Sequence, residues 1–222
     1  LKYGIPLLVE KPPGRDAAEA QSLADAAAAS EVPIMVSFDR RFNPAVMAAR
    51  EWIRTHRSFP PYLEARMLRF NRREERFLQE TGIHLIDLVH CLVGKTREVS
   101  RQGVELNRAG GKPFVGHLRS EEGCSSQVAI LPAVGVEEES IVMHGDDFSI
   151  FIDRHRGEVK AYRKGDLVLN QGAPAEGAAI ATHVNEMRSF LDCIANNEPF
   201  PVTMEEGLAA IRVASEIASE AT

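Results

Sequence analysis

The stretch ETGIHLIDLVHCLVG, residues 80–94, decides how this chain is built. Read as a helix it is apolar almost all the way round, because Ile83, Leu85, Ile86, Leu88, Val89, Leu92 and Val93 leave no room for the broad charged face of a surface helix. What interrupts the apolar wall is a stripe of Glu80, His84, Asp87 and Cys91, spaced i, i+4, i+7 and i+11 and so stacked on one face. The pattern predicts a buried helix whose polar stripe faces a cavity. Two carboxylates and an imidazole held away from bulk water supply the groups for proton transfer, since burial and mutual charge move their pKa values toward neutrality. The same stripe also reads as a satisfied internal hydrogen-bond cluster, and the helix alone does not separate the two.

Working outward, the first 60 residues alternate strand and helix. Residues 5–9 (IPLLV) form a continuous apolar run of strand length, Lys11-Pro12-Pro13-Gly14 ends it, and Asp16 with Glu19 makes a capping box that opens an Ala-rich helix to about Ser30. Residues 34–38 (IMVSF) read as a second buried strand. Asn43 then caps a helix, with Pro44 at its first position, that runs to about His56. Strands apolar on both faces belong inside a parallel sheet, and two of them do not make a stable sheet alone. The rest of that sheet is expected upstream, and a chain that begins at Leu1 is expected to be a fragment or to receive that part from another molecule.

Beyond residue 60 the pattern changes. Residues 62–70, 99–106, 125–131, 140–144, 148–153, 158–163 and 167–170 are short β-like segments separated by Gly, Asn and Asp turns, which favours an antiparallel sheet. Two closing helices are expected, one over residues 183–194 and one opened by the Thr203–Glu206 capping box and running to about Ser219.

Composition excludes whole classes. With 44% apolar and 26% charged residues over 222 positions the chain can bury a real core. A formal charge of -6 argues against nucleic acid or an acidic membrane as partner. Cys91, Cys124 and Cys193 have no CxxC spacing, so neither a disulfide framework nor a zinc site is indicated, and a cytoplasmic setting fits. No apolar run reaches the ~18 residues of a membrane span. Metal binding by Glu80, His84, Asp87 and His90 is disfavoured, because no HExxH occurs and His90 points away from the stripe.

Several motifs in register resemble the Gfo/Idh/MocA family of NAD(P)-dependent sugar and polyol oxidoreductases: Val9-Glu10-Lys11-Pro12 at a strand end, Arg41-Phe42-Asn43-Pro44 after the next strand, and Glu80-Thr81-Gly82-Ile83-His84-Leu85-Ile86-Asp87 on the later helix. Residues 141–147 and 190–221 are also similar to that family's C-terminal half. The resemblance implies an α/β (α+β) chain: residues 1–38 as the remnant of a Rossmann domain, and residues 39–222 as a substrate-binding and oligomerisation domain on a large, open, mostly antiparallel sheet with helices on one face. It implies NAD or NADP as cofactor, a sugar or polyol as substrate, and a homo-oligomer formed through the open sheet.

It also implies roles. Lys11 would polarise the substrate hydroxyl, and with Glu10 and Pro12 it would contact the cofactor. His84 would take the hydroxyl proton, Glu80 would orient His84, and Asp87, Arg41 and Arg40 would bind substrate. The bland alternatives are a solvated loop lysine, a core histidine, a helix-terminal carboxylate and arginines beside a cap. Two departures stand out. Glu80 occupies the place of the family's usual aspartate, and no GxGxxG occurs, so this chain alone is expected to bind dinucleotide poorly and to be inactive by itself. A non-catalytic small-molecule-binding or regulatory module of the same fold is the competing reading.

Overall fold

The computed structural model describes residues 1–106, 111–172 and 174–219, with residue 175 described by its backbone alone. Residues 220 and 221, at the close of the family resemblance, lie outside the described residues.

β1 (Leu7–Glu10) and β2 (Ile34–Ser37) pair in parallel, with Leu7 opposite Ile34 and Glu10 opposite Ser37. α1 (Ala17–Ser30) joins them, and Asp16 accepts from the Glu19 N–H at 2.9 Å as the capping box requires. The reciprocal bond is displaced by one residue: the Glu19 carboxylate takes the N–H of Arg15. A 3₁₀ turn, Asp39–Phe42, leads into α2 (Pro44–His56), where Asn43 accepts from the Ala45 N–H at 3.0 Å and Pro44 opens the helix.

The remaining strands are β3 (Tyr62–Leu68), β4 (Thr96–Gln102), β5 (Phe114–Ser120), β6 (Ser125–Leu131), β7 (Glu138–Gly145), β8 (Phe148–Asp153), β9 (Glu158–Arg163) and β10 (Asp166–Gln171). They form one eight-stranded sheet in the order β10, β9, β8, β7, β3, β6, β5, β4. Every neighbouring pair is antiparallel except β3 and β6. Alternation sends Leu63 and Met67 of β3, Val128 and Ile130 of β6, Ile141 and Met143 of β7, and Ile150 and Ile152 of β8 to one buried face. α2 packs on β8 and β9, α3 (Ile83–Val93) on β3, and α5 (Met204–Ser219) on β4. The helices therefore cover one face of the sheet, as the sequence led us to expect. The other face is open and carries rings: Phe151 meets Tyr162 edge-on at 5.9 Å, and His144 lies between Tyr62 and Phe151.

α5 also packs against α1, and Gly207 in it lies so close to Pro13 that a Cβ would come within 2.8 Å of the ring. β2 donates the Val36 N–H to the Val202 carbonyl at 3.0 Å, so the parallel pair is finished by the far end of the chain. α4 (Ala175–Asn196) starts eight residues before the expected position, its Pro174 cap making no side-chain bond. It buries Ala178, Thr182 and Glu186 inward, while Ile180, Val184, Met187, Leu191 and Ile194 form an exposed outer stripe.

Candidate functional site

Parallel strands bring their carboxyl ends together, and side chains just past such ends are placed for ligands. Here Lys11 follows β1 and Asp39 follows β2. Lys11 Nζ donates to the Glu80 main-chain carbonyl at 2.5 Å. Burial lowers its pKa from 10.5, and the charge of Arg40 adds to the effect. It lines a cleft of about 560 Å³ with Pro12, Gly14, Arg15, Arg76 and Glu80. A larger hollow of about 860 Å³ lies on the open sheet face around Phe151 and Tyr162. Among the described residues that line it no buried titratable side chain is present, in contrast to the strand ends.

The helix over residues 83–93 is buried as expected, yet its polar stripe does not hold together. A π turn, Leu78–Gly82, precedes α3. A π turn is wider than an α turn, so residues on either side of it lose the 100° phase on which the spacing 80, 84, 87 relied. Glu80 is consequently exposed and pairs with Arg76 at 3.5 Å. Among the described residues no hydrogen bond or ion pair joins it to His84, and the carboxylate beside the imidazole is that of Asp39, whose Oδ1 lies 3.3 Å from His84 Nδ1. The angle is too poor for a hydrogen bond, and Nδ1 is a buried atom with no hydrogen-bond partner among the described residues. Phe38 stands edge-on to the imidazole at 6.0 Å. Burial, then the charges of Arg40, Lys11, Arg154 and Arg69, hold the His84 pKa well below 6.5, so the ring is a neutral base at pH 7.

Asp87 and Arg41, expected to bind substrate, bind each other instead. Arg41 Nε reaches Asp87 Oδ2 at 2.9 Å and one terminal nitrogen reaches Oδ1 at 2.6 Å, a two-pronged pair that is fully enclosed. Its other terminal nitrogen donates to the Pro201 carbonyl at 3.2 Å and meets Glu206 at 3.1 Å. The pair ties the 3₁₀ turn to α3 and to the start of α5. Arg40 is also engaged: Nε meets Glu139 at 2.6 Å and a terminal nitrogen meets Asp39 at 3.2 Å. Glu10 ends β1 and is exposed.

The sequence reading missed Asp39, Glu139, Arg69 and Arg154. Glu139 is completely buried in β7 and accepts from Arg40 and Arg69, with Arg154 Nε at 2.7 Å. Burial raises its pKa, but the three guanidiniums outweigh this and hold it at about 2. The signal was available: alternation through β7 puts Glu139 on the same face as Ile141 and Met143, an inward position for a carboxylate. Among the described residues no three His, Cys, Asp or Glu side chains are grouped to hold a metal ion. No helix there is long and apolar enough to cross a membrane.

No protein-family model and no curated protein sequence matches the chain. Solved structures do. Levoglucosan dehydrogenase in complex with NADH matches with a TM-score of 0.86 at 19% identity, over 99% of this chain and 72% of that one. UDP-N-acetylglucosamine 3-dehydrogenase from Acidithiobacillus ferrooxidans gives 0.79 at 21% identity, over 98% and 71%. An oxidoreductase from Agrobacterium radiobacter, in complex with NAD+, L-tartaric acid and magnesium, gives 0.79 at 16%, over 98% and 72%. The fold is that of the Gfo/Idh/MocA oxidoreductases. Glu10, Lys11 and Pro12, expected to contact the cofactor, lie at the carboxyl end of β1, where Lys11 and Pro12 line the cleft. The Gly-rich turn that would grip the pyrophosphate is not in the sequence.

Proposed function

We propose that the protein is an NAD(P)-dependent oxidoreductase of sugars, polyols or related hydroxy and keto compounds, with residues 39–222 as its substrate half and residues 1–38 as part of its dinucleotide half. The observation that carries the reading is the placing of Lys11 and Asp39 just past the ends of β1 and β2, with the buried His84 Nδ1 3.3 Å from Asp39 and without a hydrogen-bond partner among the described residues. The fold shared with dehydrogenases supports it. When bound, the dinucleotide supplies a hydride acceptor or donor. The chain's own residues handle the oxygen and its proton. Lys11 donates to the reacting oxygen and stabilises negative charge there. His84 takes the hydroxyl proton, and the imidazolium so formed faces Asp39. For reduction of a carbonyl the same groups act in reverse.

The test is NAD(P)H formation from a panel of sugars and polyols by the protein purified from its native cells, beside its Lys11→Met and His84→Asn variants. Both substitutions should lower kcat by roughly 100-fold or more while leaving the melting curve in place. Unchanged turnover in Lys11→Met removes the role given to that residue. Ligand binding without turnover in any preparation favours the non-catalytic module. We further propose that two copies associate through the open sheet face, where Tyr62, Phe151 and Tyr162 present rings.

A further inference from the structure

Glu139 organises an arrangement the proposed chemistry does not use. Its two carboxylate oxygens face three guanidiniums. Two of these arginines make side-chain hydrogen bonds. Arg69 donates to the Leu68 and Glu138 carbonyls at 3.0 and 3.2 Å and to the Glu139 carboxylate. Arg40 bridges Glu139 and Asp39. Arg154 is different. Its main chain is pinned by an N–H bond to the Glu139 carbonyl at 3.0 Å, and its Nε lies 2.7 Å from a carboxylate oxygen that Arg40 already occupies at 2.6 Å. Yet Nε is buried without an aligned hydrogen bond, and no side-chain hydrogen bond of Arg154 is present among the described residues. Its side chain is 17% exposed. Its terminal nitrogens have no hydrogen bond to the described residues and are not among the enclosed atoms, so they are the donors left for a further acceptor.

The surroundings say what kind of acceptor. Lys11, Arg40, Arg69 and Arg154 all act on His84. The exposed Glu10 and Glu80 act on Lys11. The three guanidiniums share one buried carboxylate, Glu139, and Asp39 pairs with Arg40 alone among them, so positive charge is in excess around Arg154. We propose that Arg154 binds an oxyanion carried by the substrate, so that the substrate is an acidic sugar or hydroxy acid rather than a neutral polyol. A planar guanidinium matches a carboxylate with two parallel hydrogen bonds, which makes a carboxylate the favoured group and a phosphate the other source of the same chemistry. The inference rests on the placing of the substrate beside His84.

The test measures binding of D-glucuronate, D-glucose 6-phosphate and D-glucose to the 222-residue chain by calorimetry, with the His84 ring resonances followed in parallel. The expected result is glucuronate binding at least about tenfold more tightly than glucose, with that preference lost in Arg154→Gln and reduced in Arg154→Lys. Arg156→Gln, removing an exposed neighbour paired with Asp153, should change nothing and serves as the control. Tighter binding of the phosphate alone overturns the carboxylate assignment. Equal binding of glucose and glucuronate, with His84 perturbed by both, overturns the role of Arg154 and leaves the site intact. If none of the three moves the His84 resonances, both the inference and the site reading fall. Circular dichroism of Arg154→Gln separates a lost ligand from a lost fold, since Glu139 keeps its bonds to Arg40 and Arg69.

Discussion

Asp39 and Glu80 are rival partners for His84, and neutral amides distinguish them. Asp39→Asn keeps the shape beside Nδ1 but removes the charge that would face the imidazolium, so turnover should fall roughly 100-fold with little loss of stability. Glu80→Gln should leave turnover within about threefold, because its carboxylate points to Arg76 and Lys11 uses its main-chain carbonyl. The reverse ranking in steady-state kinetics would restore Glu80 as the orienting group. Arg41 belongs to stability. Arg41→Ala strands a fully buried carboxylate at Asp87 and should cost about 3–5 kcal/mol in urea unfolding. The family resemblance made Lys11, His84 and Arg41 candidates, and the residues alone did not show that Arg41 and Asp87 pair with each other. Those two residues lie 46 positions apart, and no local period reports such a pairing.

Element boundaries were legible wherever a side chain signals them. Asp16, Asn43 and Thr203 each cap as their spacing requires. α4 has no such signal at its start, which is why it reads as beginning near His183. β5 was missed because Gly116 sits in its middle and reads as a break. In the sheet that glycine is needed, since a Cβ there would lie 2.0 Å from the Ser100 carbonyl oxygen. The π turn left no trace in periodicity at all. Gly82 closes it against Ile130 and Leu78, where a Cβ would come to 3.1 and 3.4 Å. Gly82→Ala should therefore destabilise by about 1–3 kcal/mol through overpacking. Gly177→Ala in α4, where a Cβ meets nothing within 4 Å, should stabilise by roughly 0.5 kcal/mol. Thermal unfolding of the two variants gives shifts of opposite sign if the π turn is as described.

Across the whole molecule, buried histidines set the response to acid. Burial holds His84 well below 6.5 and His90 at about 3, so the unfolded chain binds protons there that the folded chain refuses. Their contribution is fully present above pH 6.5 and is lost as the pH falls, at about 1.4 kcal/mol per unit for each ring. Asp87 works the other way. Burial pushes it up to about 6, so between pH 6 and its ordinary 3.8 the folded chain takes up a proton first and offsets one histidine. The net expectation is a fall of roughly 1–3 kcal/mol per unit from pH 6.5 toward 5. A urea midpoint that stays flat over that range would show that the rings are solvated. Association through the sheet is tested at the same scale: Phe151→Lys, at a ring 41% exposed in the single chain, should shift the mass by light scattering toward the monomer. β2 is completed by Val202, and α1 by α5, so the β1–β2 unit reaches its full set of contacts only after the whole eight-stranded sheet has been synthesised. Until then the surfaces that Val202 and α5 complete stay open, and during that interval β2 and α1 are within reach of chaperones and proteases.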